Sequence, residues 1–379
     1  MIAFRNGPGR FEMKRVEREK KPDLFLLLAT LLLVTIGTVM IYSSSSILAT
    51  EKFQDGQFFL KKQLFFLCLG LMIMVFMTKL PYYKLRKLAW PGIVVSAILL
   101  CALWIPHLGI RAGGAVRWLN LGVFSFQVSE LVKMALILFL AHFLTEKINH
   151  IREFKEGILV PLSVMAGLIG LILFQPDFGT TVILAIITFL MIYLAGGRLL
   201  HLGSMMALFI PVALWLLFYK SYRLARLTAF LDPWKDPQHS GFQIIQSLIA
   251  FGSGGPLGVG IGDGIQKLFY LPEPHTDFIL SVIAEEGGFV GVGLILLLYI
   301  LLIVRGFQIS LKAPDLFGNL MGAGLTMMIA LEAFINIAGV TGLIPLKGLA
   351  LPFLSYGGTS LIMSLAAVGI LLNISVYES

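Results

Sequence analysis

Few residues of this 379-residue chain can do acid–base or ionic chemistry, since 13% are charged and 58% hydrophobic. Where they stand is therefore informative. The stretch LPEPHTDFILSVIAEEGG, Leu271–Gly288, opens with two prolines, a glutamate, a histidine and an aspartate, then becomes an apolar run holding two adjacent glutamates. Asp277 stands where polar loop gives way to apolar helix. There, Thr276 or Asp277 can cap the helix by accepting from orphan backbone N–H groups. An ionisable group at a membrane boundary is also a functional candidate, here a general base. The two roles can coexist. Pro272 and Pro274 are expected to hold the approach extended. Glu285 and Glu286 lie about 12 Å further along a helix rising about 1.5 Å per residue. Carboxylates in apolar surroundings must pair or protonate, so these two read as structural or supporting groups.

The remaining charges fall into small groups. Glu130 and Lys133 in SELVK share one helix face by their spacing, as do Glu332 and Asn336. With Glu285 and Glu286 they predict a polar seam inside a helix bundle. Asp177 in FQPDFGTT reads as the cap of a turn made by Pro176 and Gly179. In RAGGAVRWLNLG, Arg111 and Arg117 can bind an anion such as pyrophosphate or serve in loop salt bridges. Glu273 and His275, beside Asp277, are candidate substrate contacts. GSGGPLGVGIGDG, Gly252–Gly264, lacks the Lys-Ser/Thr that ends a phosphate-binding P-loop. It reads as a loop whose glycines permit close backbone approach, to a ligand among other things.

Composition dictates what must position these residues. A soluble protein averages about 45–50% apolar and about 25% charged residues. Here apolar runs of about 18 residues or more recur, each able to cross a hydrocarbon core of about 30 Å. The chain is expected to be an all-α polytopic membrane protein with about ten transmembrane helices. Short alternating segments, the mark of a barrel, are absent. The expected spans are 24–44, 58–78, 88–105, 128–145, 157–174, 179–196, 200–219, 277–304, 317–339 and 354–375. Cys68 and Cys101 fall in such runs and are expected as small buried hydrophobes, with no disulfide framework or metal-spaced cluster. Residues 1–23 form a polar tail unlike a signal peptide, so the first run is expected to stay as an anchor. Residues 24–379 form one membrane domain.

Orientation follows from Lys and Arg. They crowd the tail (Arg5, Arg10, Lys14, Arg15, Arg18, Lys20, Lys21) and alternate loops, which places both termini in the cytoplasm. The longest connection, 220–276, then becomes a large extracytoplasmic loop between spans seven and eight. It is too apolar for disorder and is expected to fold back on the bundle, with GFQIIQSLIAFG as a short interfacial helix. Anchoring charge accounts for the net +8, and no nucleic-acid partner is expected.

Taken together, MIYSSSS, RWLNLG, SELVK, QPDFGTT, FGSGGPLGVGIGDGIQKLFYLPEPHTDF, AEEGG and LPFLSYGGTSL resemble the SEDS family, the FtsW/RodA/SpoVE proteins of bacterial cell-wall synthesis. The resemblance covers nearly the whole chain, and the order and spacing of the pieces carry it. GDGIQKLFYLPEPHTDF and GVTGLIPLKGLALPFLSYGGTSL look more like FtsW than RodA. Val128, Pro274 and Gly287 depart from the family pattern without removing a chemical group.

The resemblance implies a peptidoglycan glycosyltransferase that polymerises lipid II, with an essential aspartate in His-Thr-Asp-Phe, here Asp277. Asp277 would take the proton of the acceptor hydroxyl as that oxygen displaces polyprenyl pyrophosphate with inversion. Substrate-contact candidates are Lys133, Glu130, Arg111, Arg117, His275 and Glu273, to which the family-like motifs add Gln175 and Ser355. Glu285, Glu286, Glu332 and Asp177 are expected to be structural. Charge on the leaving pyrophosphate would be met by Lys133, Arg111, Arg117 or a divalent cation, Mg or Mn. The implied partners are a class B penicillin-binding protein transpeptidase and other divisome membrane proteins, and the implied location is the bacterial cytoplasmic (inner) membrane. Septal wall synthesis is the expected role, with elongation or sporulation as alternatives. A lipid II transporter and a scaffold without catalysis are the competing function classes.

Overall fold

The structure, a computed structural model, describes residues 21–377 apart from 113, 114, 121, 123, 220, 240, 269 and 270. Most of the expected polar tail, residues 1–20, lies outside the described residues. The helices are α1 Leu24–Phe53, α2 Phe58–Lys79, α3 Tyr82–Ala102, α4 Val128–Glu146, α5 Phe154–Leu173, α6 Phe178–Leu194, α7 Leu199–Tyr219, α8 Ser221–Leu231, α9 Phe242–Gly254, α10 Ile279–Leu311, α11 Leu316–Val340 and α12 Gly358–Val376. Each expected span coincides with one of them. Eight are long and apolar enough to cross a membrane, and the shorter apolar helices Phe178–Leu194 and Leu199–Pro211 fall on the other two expected spans. The chain is a polytopic, mainly helical membrane protein.

Helix starts follow local chemistry. Asp23, Asp177 and Asp315 accept backbone N–H groups at the starts of α1, α6 and α11. Helices α4, α11 and α12 are the most enclosed. Helix α12 packs on α2, α11 on α4 and α10, and α1 on α10. Helices α2, α3 and α10 turn Phe76, Ile98 and Leu297 outward. Cys68 and Cys101 share these outward faces, so both are exposed rather than buried. In a membrane bundle the outer faces meet lipid tails, so an apolar side chain need not face the protein interior.

The connection carrying RWLNLG is more ordered than a plain loop. Strands β1 Gly109–Ala112, β2 Ala115–Asn120 and β3 Ser125–Gln127 form an antiparallel meander before α4. Trp118 pairs with Ile110 and with Gln127, and Leu119 with Gly109 and Phe126, so β2 is the central strand. The long connection after α7 holds α8 and α9. The expected helix in GFQIIQSLIAFG is α9, which buries Ile244, Ile245 and Ala250.

Helix α10 is interrupted at Gly288 (φ 62°, ψ −162°). The amides of Phe289 and Val290 donate to the carbonyls of Gly255 and Pro256, while the carbonyls of Glu285 and Glu286 accept from Val259 and Gly260. The glycine-rich loop thus closes the break with its own backbone, as an interruption at membrane depth requires. A Cβ at Gly288 would lie 2.3 Å from Gly258 N, so the close approach foreseen for this loop is to the protein's own helix.

Candidate active site

Asp277 does not cap α10. The helix begins at Ile279 with Phe278 as its N-cap and no side-chain cap bond. The preceding backbone is held from the other side. Three successive carbonyls accept hydrogen bonds: His275 from Tyr356 N (2.9 Å), Thr276 from Ser355 Oγ (2.6 Å) and Asp277 from Asn336 Nδ2 (2.9 Å). Asn336 lies on α11, and the other donors lie in the segment joining α11 to α12. Asn336 Nδ2 also donates to Leu349 O (2.7 Å), and Ser355 Oγ accepts from Leu351 N (2.8 Å). The chain before Asp277 is a turn rather than the extended run expected from the prolines. Thr276 N donates to Glu273 O (3.1 Å), and Glu273 has a φ of 51°, in the left-handed region. The backbone of Asp277 is therefore fixed, while its carboxyl oxygens make no hydrogen bond among the described residues.

Asp277 borders a narrow cleft of about 10 Å³, room for about one water, lined also by Asn336, Leu346, Lys347, Gly348 and Leu349. Gly348 has a φ of 65°, and a Cβ there would lie 3.0 Å from Asp277 Oδ2, so glycine leaves room for the carboxylate. Burial first, and then the nearby Glu273 carboxylate, push the Asp277 pKa from 3.8 up to about 6, against the pull of Arg226 and Arg117. Arg117 is on β2, and Arg226 on α8 reaches Leu346 O (3.5 Å). Burial also pushes the Lys347 ammonium down. A partly buried carboxylate that loses its proton near neutrality, with cations around it, is suited to general-base work.

Several expected substrate contacts are placed elsewhere. Lys133 is 2% exposed and bonded to Glu130 (2.8 Å) and to Glu332, so its charge is used inside the bundle rather than offered to an anion. Glu130 is likewise an internal partner. Gln175 is buried and donates to Leu100 O (3.1 Å). Ser355 spends its hydroxyl on the Thr276 carbonyl. His275 is buried against the rings of Phe59 (4.4 Å) and Tyr356 (5.5 Å). Burial, and secondarily Lys52, lower the His275 pKa to about 4, so it is neutral at pH 7. Asp177 accepts from Thr180 N (3.3 Å) and Oγ1 (2.9 Å), and Arg117 Nε lies 3.5 Å from its Oδ2. The side chain of Arg111 lies outside the described residues. Glu273 is exposed beside Asp277.

Glu285 and Glu286 do not continue the Lys133 seam. Ser43 Oγ donates to both carboxyl oxygens of Glu286 (2.8 Å), and Lys267 Nζ donates to Glu286 (2.7 Å), Ser43 Oγ (3.2 Å) and the Gly262 carbonyl. Ile265 and Gln266 amides donate to Glu285 (2.8 and 3.1 Å). This second network pins the glycine-rich loop to α10 and α1. Among the described residues, the one group of three ligand-type side chains near enough to share a metal is His150, Glu153 and Glu156, exposed past the end of α4, and Asp277 is not in it.

Asn336, Lys347, Gly348, Arg226, Lys267 and Ser43 were not singled out as site residues by their own positions. Lys347 carried a usable signal, being a positive charge on the lysine-poor side.

Residues 23–379 match the profile of the cell cycle protein family that groups FtsW, RodA and SpoVE. The chain is 48% identical to the probable peptidoglycan glycosyltransferase FtsW of Trichlorobacter lovleyi, over 93% of each chain. It is 45% identical to stage V sporulation protein E of Bacillus subtilis, over 95% of this chain and 99% of that one. Among solved structures, a chain of a peptidoglycan synthase complex that coordinates polymerization and crosslinking superposes with a TM-score of 0.77 at 33% identity, covering 93% of this chain and 97% of that one. The rod shape determining protein RodA of Thermus thermophilus gives 0.69 at 28% identity, covering 93% and 96%. The chain belongs to the FtsW/RodA/SpoVE family of cell cycle proteins.

Proposed function

We propose that this chain is a peptidoglycan glycosyltransferase that polymerises lipid II, with Asp277 as general base. The observation that carries the reading is the Asp277 carboxyl. Its backbone is clamped, its oxygens cap nothing, and its pKa is raised to about 6 beside Arg117 and Arg226. In the reaction the acceptor 4-hydroxyl gives its proton to Asp277 as its oxygen bonds to the donor anomeric carbon. The bond from that carbon to pyrophosphate breaks, and the leaving group keeps the electron pair. A single displacement inverts the centre, so one base suffices. Arg117, Arg226 and Lys347 are the cations placed to meet the developing negative charge. A Mg or Mn ion, where one takes part, would be held mainly by the pyrophosphate itself and would supply charge neutralisation.

The relatives named peptidoglycan glycosyltransferase FtsW support the activity; septal wall synthesis is the role proposed, with sporulation, after the relative named stage V sporulation protein E, as an alternative. The peptidoglycan synthase complex supports a class B penicillin-binding protein as the transpeptidase partner, beside other divisome membrane proteins. The charge pattern supports the bacterial cytoplasmic membrane with both termini inside and Asp277 at the outer boundary.

The test is lipid II polymerisation in detergent by wild type and Asp277→Asn, each with its cognate transpeptidase, with moenomycin present and glycans run on a gel. Loss of a general base is expected to lower the rate by about 10²–10⁴-fold. Polymer from both proteins would discard the base. Polymer from neither, where a known family member works, would favour transport or scaffolding.

A further inference from the structure

We propose that Asn336 is the positioning residue of Asp277. The inference rests on the reading of Asp277 as general base and adds the group that sets its place. Asn336 is 5% exposed. Its amide orientation is fixed by chemistry, because the carbonyls of Asp277 (2.9 Å) and Leu349 (2.7 Å) both accept from one terminal atom, which must therefore be the nitrogen. Its Oδ1 is buried and has no donor among the described residues. An apolar residue of similar volume would leave both carbonyls without this donor, so the amide also supports stability, and a positioning role has to be read from rate per folded molecule.

What the two donated bonds join is specific. One reaches Asp277, which borders the cleft. The other reaches Leu349, next to Gly348, the glycine that leaves space for Asp277 Oδ2. One side chain thus fixes the distance between the base and the opposite wall. Asn336 stands one helical turn from Glu332, which is bound to Lys133 on α4, so the rotation of α11 at this level is anchored in the buried core. The Asn336 bonds are made to backbone, so they set where the carboxylate sits without consuming its oxygens. Misplacing a reacting group by about 1 Å can cost about 100-fold in rate.

The test uses the full chain with its cognate transpeptidase in detergent. It measures kcat, KM for lipid II, the pH dependence of rate and the thermal midpoint for Asn336→Leu, Asn336→Asp and Asn336→Gln, with Asp277→Asn alongside. Asn336→Leu is expected to lower kcat by about 10–100-fold with KM within about twofold. Asn336→Asp should lose rate similarly and move the acid limb to higher pH, because a second carboxylate disfavours ionised Asp277. Asn336→Gln, which keeps both donors, should recover part of the loss. Unchanged kcat per folded molecule in Asn336→Leu, or a wild-type acid limb in Asn336→Asp, overturns the positioning role. Should the leucine variant fail to fold, the aspartate and glutamine variants decide by the same readouts. An active Asp277→Asn enzyme would instead overturn the reading of Asp277 itself.

Discussion

The raised pKa of Asp277 makes a quantitative prediction about rate against pH. Holding this carboxylate ionised in the fold costs about 3 kcal/mol relative to water, from a shift of 3.8 to about 6. With a pKa near 6 the base is about 90% ionised at pH 7 and about 10% at pH 5. kcat/KM, which reports the free enzyme, should therefore fall about tenfold between those values. An ordinary aspartate near 3.9 would be about 93% ionised at pH 5 and more than about 99% at pH 7, and would show almost no fall. Unfolding does not mimic the effect. A carboxyl whose pKa is raised on folding binds its proton more tightly in the native state, so its own titration stabilises the fold as pH drops from 6 towards 4. The assay is the initial rate of lipid II polymerisation at sub-KM substrate in detergent. Glu273→Gln removes the like charge and should move the limb down by at most about 0.7 pH, the worth of about 1 kcal/mol between carboxylates in water-like surroundings. Arg226→Gln should move it up. A kcat/KM that stays flat to pH 5, or a limb indifferent to both substitutions, would refute the assignment.

Two further outcomes concern the scaffold. Lys267→Met leaves Glu286 buried without its cation and is expected to cost about 3–5 kcal/mol, read as a lower thermal midpoint that Lys267→Met with Glu286→Gln partly restores. Gly288→Ala places a Cβ 2.3 Å from Gly258 N at a φ of 62°, so the folded fraction in fluorescence-detected size exclusion should fall sharply, whereas Gly293→Ala, with open space around it, should not change it.

Much of this was legible in the chain itself. Apolar runs place the spans because lipid imposes one length scale on every crossing helix. Asp277 stands out because a carboxylate at such a boundary needs a reason. Its environment does not, because the groups that clamp it come from far along the chain, Asn336 at a separation of 59 residues and Ser355 at 79. The spacing of Glu130 and Lys133 shows that they share a face but not that Glu332 completes the set and consumes the charge. Glu285 and Glu286 read in sequence as an extension of that seam, yet Glu285 takes the amides of Ile265 and Gln266, and Lys267, the partner of Glu286, sits in the loop and reaches back to Ser43 across 224 residues. The cap reading of Asp277 failed for a related reason. Capping propensity is local, and here the backbone before the helix is held by bonds from elsewhere in the fold, with Phe278 rather than Asp277 at the N-cap and the helix beginning one residue later, at Ile279.

The interruption at Gly288 bears on mechanics. As one rod, the 33 residues of α10 would be about 50 Å long, well beyond a hydrocarbon core of about 30 Å. The break divides it into two levers. The first segment, Ile279–Gly287, is bonded to the glycine-rich loop and follows directly on Asp277. The second segment, from Phe289 onward, presents Leu294, Leu297 and Ile300 outward as an ordinary lipid-facing anchor. Tilt of the second lever, which thinner or thicker bilayers impose on a crossing helix, would be taken up where the two meet, at Gly288. The height of Asp277 is thereby referenced to the loop and to α11, so the surroundings of its carboxyl can be kept in membranes of different thickness.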